Sequence, residues 1–495
     1  MNAFQNPLVI LTFLPVIGIL LILLQREENK TTNRWIALVT SLAVFACSIW
    51  VLTLYNPADP NPQQEIDISW LTISGIPIDF HLGLDGINIL LVLLTAFITP
   101  LAILATWKSI NLNVKAFMLV FLLLEIAMMG VFLSFDMVLF YVFWEFTLVP
   151  MYFLIGIWGG ERRVYAAYKF FLFTMVGSVL MLLGIIYIGS AAGTFSIQAL
   201  TANRQTFASA QLALFIVFGL AFAIKVPLFP LHTWLPDAHV EAPTAASVIL
   251  AAILLKMGSY GLVRFNLSLF PQATRQLGPW IAVLAVIGIL YGAAVALAQK
   301  DVKKLVAYSS VSHMGFVVLG IFALTTQSLE GSILQMVNHG LSTGALFLIV
   351  GFLYERRHTR NLADFGGIWK VMPVLGSLAL IITLSSAALP ATNGFAGEFN
   401  ILMGTYQSPL LAKPWFVVLA TLGVILAAVY LLVMFEKVFL GPVTHAENQE
   451  LPDLDKREIL ILAPIIVLVF WIGLYPQPFF NLIHASATQL LAALP

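Results

Sequence analysis

Residues 212–239 read LALFIVFGLAFAIKVPLFPLHTWLPDAH. An uninterrupted apolar run meets Lys225, and Pro227 and Pro230 follow almost at once. Apolar runs of about 20 residues cross bilayers. Proline, however, removes a backbone donor and clashes one turn back, which frees carbonyls that hydrocarbon cannot satisfy. A charge held mid-bilayer costs at least about 2.5 to 3.5 kcal/mol on insertion scales. The stretch therefore predicts a transmembrane helix that breaks beside a lysine and is covered there by protein or water. Residues 389–398, LPATNGFAGE, repeat the combination, with Pro390 and Gly394 preceding Gly397 and Glu398.

The rest of the chain agrees. Of 495 residues, 60% are hydrophobic and only 10% charged, against roughly 25% charged in soluble chains. This excludes a soluble enzyme and predicts an all-α polytopic membrane protein whose function lies within the bilayer. Lys plus Arg equals Asp plus Glu at 24 each, so no electrostatic footprint for nucleic acid exists. The single cysteine, Cys47, lies in an apolar run, which leaves no disulfide framework and no cysteine-held metal or iron–sulfur site.

Windows of about 20 apolar residues predict roughly 14 spans. They are approximately Pro7 to Leu24, Trp35 to Leu54, Ile87 to Trp107, Ala116 to Ser134, Met137 to Trp158, Tyr165 to Ser190 and Leu212 to Leu231. Thr244 to Phe265, Trp280 to Leu297, Leu305 to Leu324, Ile333 to Leu353, Pro373 to Thr405, Trp415 to Phe439 and Ile459 to Leu474 follow. The first window has no basic region before it and reads as a retained span, not a signal peptide. Eighteen lysines and arginines, from Arg26 to Arg457, fall on one side of these spans, whereas Arg204, Arg264, Arg275 and Lys413 fall on the other. By the positive-inside rule the first side is cytoplasmic and both termini lie outside. Lys225 and Lys256 fall within spans.

Other ionisable residues do the same: Glu125, Glu145, His313, His339 and Glu398. A lone histidine or a single Glu–Lys pair often only packs or braces helices. Carboxylates, amines and imidazoles spread over six or seven helices are the group types that proton relays use, and the set reads as a proton path. If spans four to eight and nine to thirteen are two five-helix units, the broken helix is fourth in each, and the odd span number inverts the second copy. The expected division is residues 1–112 (three helices), 113–266 and 267–440 (the two units), and 441–495 (a cytoplasmic loop and a last helix).

Two motifs fail on context. Gly340 to Gly344 fits G-x-S-x-G, yet mid-span no strand-to-helix elbow can form, and small residues packing helices closely explain it. His232, Asp237, His239 and Glu241 match no helical ligand pair, so capping of the next span is expected of them instead of metal binding.

Lys225-Val226-Pro227, His232 to His239, Glu241-Ala242-Pro243-Thr244, Phe143-Trp144-Glu145, Leu255 to Gly258, Tyr308 to Gly315 and Asn338-His339-Gly340 closely resemble the antiporter-like subunits of respiratory complex I. The resemblance covers nearly the whole chain. A glutamate in place of a lysine on the second broken helix, within Asn393 to Glu398, resembles the subunit M (chain 4) type. One departure is Leu389-Pro390-Ala391-Thr392, where the family usually has Leu-Pro-Gly.

The resemblance implies that Glu145 pairs with Lys225, that Lys256, His313 and His339 continue a hydrated axis, and that Glu398 ends it; Glu125 is a weaker addition. A carboxylate about 4 Å from an ammonium, in an effective dielectric near 20, is worth roughly 4 kcal/mol, so pairing is expected to decide whether Lys225 keeps its proton. The resemblance further implies no redox cofactor and no electron-transfer site in this chain. NADH, FMN, iron–sulfur clusters and quinone are expected in other subunits, with neighbouring antiporter-like subunits as partners in the membrane, by expectation a bacterial inner membrane. Two functions stay open: a proton-translocating subunit of NADH-quinone oxidoreductase, or a subunit of an Mrp-type multisubunit cation/proton antiporter. Glu398 favours the first. A purely structural role does not explain the retained ionisable groups.

Overall fold

In the computed structural model, which describes residues 5–494, every apolar window falls on a helix. The order begins α1 (Pro7–Leu23), α2 (Lys30–Thr53), β1 (Gln63–Ile73), β2 (Ile76–Leu84), α3 (Ile89–Ser109), α4 (Val114–Leu133), α5 (Met137–Trp158) and α6 (Arg163–Ala192). Next come α7 (Ile197–Ala202), α8 (Gln211–Lys225), α9 (Trp234–Glu241), α10 (Thr244–Ile249) and α11 (Leu255–Gly261). The chain continues through α12 (Pro271–Leu297), α13 (Val302–Phe322), α14 (Thr326–Arg357), α15 (Ile368–Val371), α16 (Pro373–Ser386) and α17 (Asn393–Tyr406). It ends with α18 (Trp415–Phe439), α19 (Lys456–Leu474) and α20 (Gln477–Ala492). Among the described residues, twelve helical segments, counting Arg204–Lys225 and Thr244–Leu267 as one each, are long and apolar enough to cross a membrane, and α1 and α16 are shorter apolar helices.

Local chemistry sets the helix starts. Asp136 accepts from Val138 N at 2.8 Å and Leu139 N at 3.0 Å, Asp301 accepts from Lys304 N at 3.0 Å, and Thr325 with Ser328 and Asp455 with Glu458 form capping boxes. The two aspartates share a further feature. Asp136 bridges Ser196 and Asp301 bridges Asn361, each joining the start of a span to an extended segment the same number of residues on.

Both expected breaks are present. The helix ends at Lys225 and resumes at Trp234; Leu228 N bonds to the Ala223 carbonyl that Pro227 cannot serve, and the indole of Trp234 donates at 2.9 Å to the Ile224 carbonyl, which the end of the helix leaves free. The second break runs from Ala387 to Thr392. There Asn338 donates to the Asn393 carbonyl at 2.7 Å, Asn393 donates back to the Asn338 carbonyl at 3.2 Å, and Ser385 donates to Asn393 Oδ1 at 2.5 Å. Ala391 sits at φ +75°, in the left-handed region, where a glycine has no Cβ penalty and an alanine is strained by roughly 1 to 2 kcal/mol. Ala391→Gly is expected to raise stability slightly, read as a higher midpoint of denaturation of the purified chain in detergent; a lower midpoint would refute the strain.

The span of α10 and α11 and all of the apolar part of α14 are buried within the protein, α13 nearly so, whereas about two thirds of the corresponding parts of α18 and α19 face outward. Side chains on α11, α13 and α14 are therefore shielded from lipid. The span holding Lys256 also widens into π-helical turns on either side of α11, at Leu250–Leu254 and Leu262–Leu267, a departure common at functional sites.

Two elements were not expected. The link between α2 and α3 is an antiparallel hairpin whose turn residues, Ser74 and Gly75, both have positive φ (53° and 81°) as a two-residue hairpin turn requires. After α19, α20 packs against α14 and α3.

Candidate functional site

Lys256, on α11, is fully buried, and its Nζ lies 2.5 Å from the Ala251 carbonyl and 2.6 Å from Nδ1 of His339 on α14. An ammonium at that position needs Nδ1 as acceptor, which leaves the His339 proton on Nε2, an atom with no partner. The His339 and His313 rings lie 6.0 Å apart. Between and around them is a cavity of about 10 Å³, lined among others by Gln335, Asn338, Ser342 and Ser385, enough for roughly one water molecule. His313, on α13, faces Glu398 Oε1 at 2.8 Å through Nδ1 and the Tyr430 hydroxyl at 3.1 Å through Nε2. Gln335 donates to the same Glu398 oxygen at 3.0 Å, while Oε2 has no partner. The imidazole is thus held between a carboxylate and a phenol, which can each accept or donate as its charge changes.

Five helices (α11, α13, α14, α17 and α18) supply this chain of groups, and its four ionisable members expected from sequence, Lys256, His339, His313 and Glu398, are each at most 3% exposed. The sequence did not single out Tyr430 or Gln335, because a tyrosine or an amide in an apolar helix has no distinctive pattern, and Asn338 entered only as part of a resemblance motif.

The other pair departs from expectation. Lys225, at the end of α8, and Glu145, on α5, are within electrostatic reach but form no ion pair. Lys225 Nζ lies over the Trp144 ring at 5.2 Å and the Phe170 ring at 5.5 Å, and has no hydrogen-bond partner. The two aromatic faces take up the ammonium, so the expected contact near 4 Å is absent. Glu145 is half-buried, with Oε1 unpartnered. Glu125 is fully buried on α4, both its oxygens lack partners, and no hydrogen bond links it to the groups above.

The expected caps also fail. Pro243, not a polar side chain, precedes α10; Asp237 instead pairs with Lys169 at 2.6 Å and Glu241 accepts from Arg162 N at 2.9 Å. His239 is fully buried, stacked on Phe347 at 4.5 Å, with neither ring nitrogen partnered, and both Lys256 and Lys303 are within its electrostatic reach. Lys303, counted above with the basic loops, is buried and donates to the Ala242 carbonyl at 2.6 Å, a cation at the end of α9. It lines a cavity of about 570 Å³ at the lysine-rich end, together with Glu241, Thr244, Tyr354 and Glu355. Its place in the fold, buried in the first turn of α13, is what the loop count missed.

The family described as NADH:quinone oxidoreductase/Mrp antiporter, TM matches residues 134–429, which include every group named here except Glu125 and Tyr430. The chain is 44% identical to NADH-quinone oxidoreductase subunit M of Rickettsia typhi over 98% of its length and 99% of the relative's. It is 42% identical to subunit M of Rhodobacter capsulatus over 98% and 96%. Its fold matches a chain of respiratory complex I from Thermus thermophilus with bound NADH at a TM-score of 0.89, with 32% identity over 99% of this chain and all of that one. With its apolar helices and this buried ionisable chain, the protein is an antiporter-like integral membrane protein and belongs to the NADH:quinone oxidoreductase/Mrp antiporter family.

Proposed function

We propose that this chain translocates protons across the membrane as a non-redox subunit of NADH-quinone oxidoreductase, driven by electron transfer from NADH to quinone in partner subunits. The observation that carries the reading is the buried chain Lys256–His339–His313–Glu398, with Tyr430 on the other side of His313, two contacts of 2.6 and 2.8 Å and one gap the size of a water. Groups in such a series exchange protons by short transfers, and burial keeps lipid and bulk water away.

In this reading Lys225 and Glu145 load and release the axis, and Glu398 is its far end. The large cavity at Lys303 and Glu241, followed by His239, supplies protons from the lysine-rich face, which we assign to the cytoplasm of a bacterial inner membrane with both termini outside. We assign Glu125 no step. NADH, FMN, iron–sulfur clusters and quinone belong to partner subunits, and neighbouring antiporter-like subunits flank this one. The two five-helix units, residues 113–266 and 267–440, are proposed as inverted copies; the matched Asp136–Ser196 and Asp301–Asn361 bridges, which fall at opposite ends of the assigned topology, support that.

Lys225→Ala in the purified, reconstituted complex is the test. Proton pumping is expected to fall at least about tenfold, as loss of a positioned acid–base group predicts. Pumping at the unaltered rate in an assembled complex would reject the role. Sodium-dependent proton exchange without NADH would favour the Mrp-type alternative.

A further inference from the structure

Lys256, Tyr260 and Arg264 recur at four-residue spacing along one span, and all three are buried. The line runs from the proton axis toward the lysine-poor end of the protein, yet it is unlike the axis in one respect. Around Lys256, several polar atoms lack partners: His339 Nε2, both nitrogens of His239 and Glu398 Oε2. In the Tyr260–Arg264 half, the donors are all engaged. The Tyr260 hydroxyl donates to the Phe132 carbonyl at 3.0 Å and accepts from Arg264 Nε at 3.1 Å. The Arg264 guanidinium makes a two-pronged pair with Asp85, at 2.7 and 2.8 Å, and stacks against Phe135 and Tyr260.

Asp85 is itself fixed, accepting from Ile87 N at 2.9 Å and Asn88 N at 3.2 Å, and Asn88 donates to the same Phe132 carbonyl at 2.8 Å. Gly86 N donates to Ser486 of α20 at 2.9 Å, so the C-terminal helix closes over the cluster.

Proton relay requires a group that can release a proton and a neighbour free to receive it. Arginine keeps its proton throughout the accessible range, and here its neighbours have no vacant position toward Lys256. Resting on the function proposed above, we propose that Tyr260, Arg264 and Asp85 form a seal on the lysine-poor side of Lys256. The seal blocks direct escape or backflow along the span and forces the proton sideways through His339 and His313 to Glu398. Arg264 and Asp85 are positioning residues that act by holding this seal shut.

Arg264→Lys separates this role from simple bracing, because lysine keeps the charge but can release its proton. The experiment uses the whole complex in sealed vesicles, without NADH, and follows decay of an imposed pH gradient. The expected result is decay about threefold faster or more than in wild type, as a cation that can release its proton replaces one that cannot, with uncoupled NADH-to-quinone electron transfer within about twofold. Adding Lys256→Met to Arg264→Lys is expected to restore tightness. An assembled Arg264→Lys complex that stays tight overturns the seal, and so does a leak that persists in the double variant. If Arg264→Lys does not assemble, Tyr260→Phe decides in the same assay: a leak supports the seal and tightness overturns it. Pumping that survives Lys256→Ala alone would count against the proposed function and leave the gradient-decay result to stand by itself.

Discussion

Lys256→Ala is expected to lower proton translocation about a hundredfold while the complex still assembles, the scale on which removal of a positioned acid–base group acts. Lys256 Nζ touches both the Ala251 carbonyl and His339 Nδ1. Alanine shortens the side chain by the whole distance that joins α11 to α14. His339 then faces an apolar wall, and the remaining groups, His313, Glu398 and Tyr430, have no donor on the α11 side. The backbone should tolerate the change, because the lysine makes no ion pair and its removal strands no opposite charge. His339→Ala is expected to act alike, since it removes the other half of the same contact.

Glu145→Gln is expected to abolish pumping and impair coupled turnover while assembly survives. In the present arrangement the carboxylate acts on Lys225 only at a distance, and the ammonium rests on Trp144 and Phe170. Under the proposed function this arrangement is the open state of a switch. Closing to about 4 Å in an effective dielectric near 20 would be worth roughly 4 kcal/mol. That exceeds the roughly 2.3 kcal/mol needed to move one charge against 100 mV, so opening and closing the pair is sufficient to drive uphill transfer. Glutamine preserves the shape and removes the charge, and with it the difference between the two states. The check is proton flux and electron transfer measured together in membranes; pumping at the wild-type proton-to-electron ratio in the Glu145→Gln complex would reject the switch.

Much of this was legible in the residues because bilayers impose strict rules. Lys225 with Pro227 and Pro230, and Pro390 with Gly394, announce broken helices, since prolines beside a charge have few other uses in a span. Lys256, His313, His339 and Glu398 had to face inward, and they do. The distance between Glu145 and Lys225 was not legible, because it depends on where Trp144 and Phe170 pack. His239 was misread because it lies between Pro236 and Pro243, where a loop and a cap are the simpler reading, although its helix folds back into the interior. Tyr430 carries no sequence signal at all. The hairpin was readable in principle from Ser74-Gly75 between two β-rich runs, and α20 is too short and polar to register as a span.

The central claim is that protons cross through Lys256, His339, His313 and Glu398. It is tested most directly by the proton-to-electron ratio of the purified complex carrying Lys256→Ala, reconstituted in sealed vesicles, with assembly verified in the same preparation. A ratio well below wild type at any residual electron-transfer rate is the predicted result; an assembled complex that keeps the wild-type ratio would contradict it.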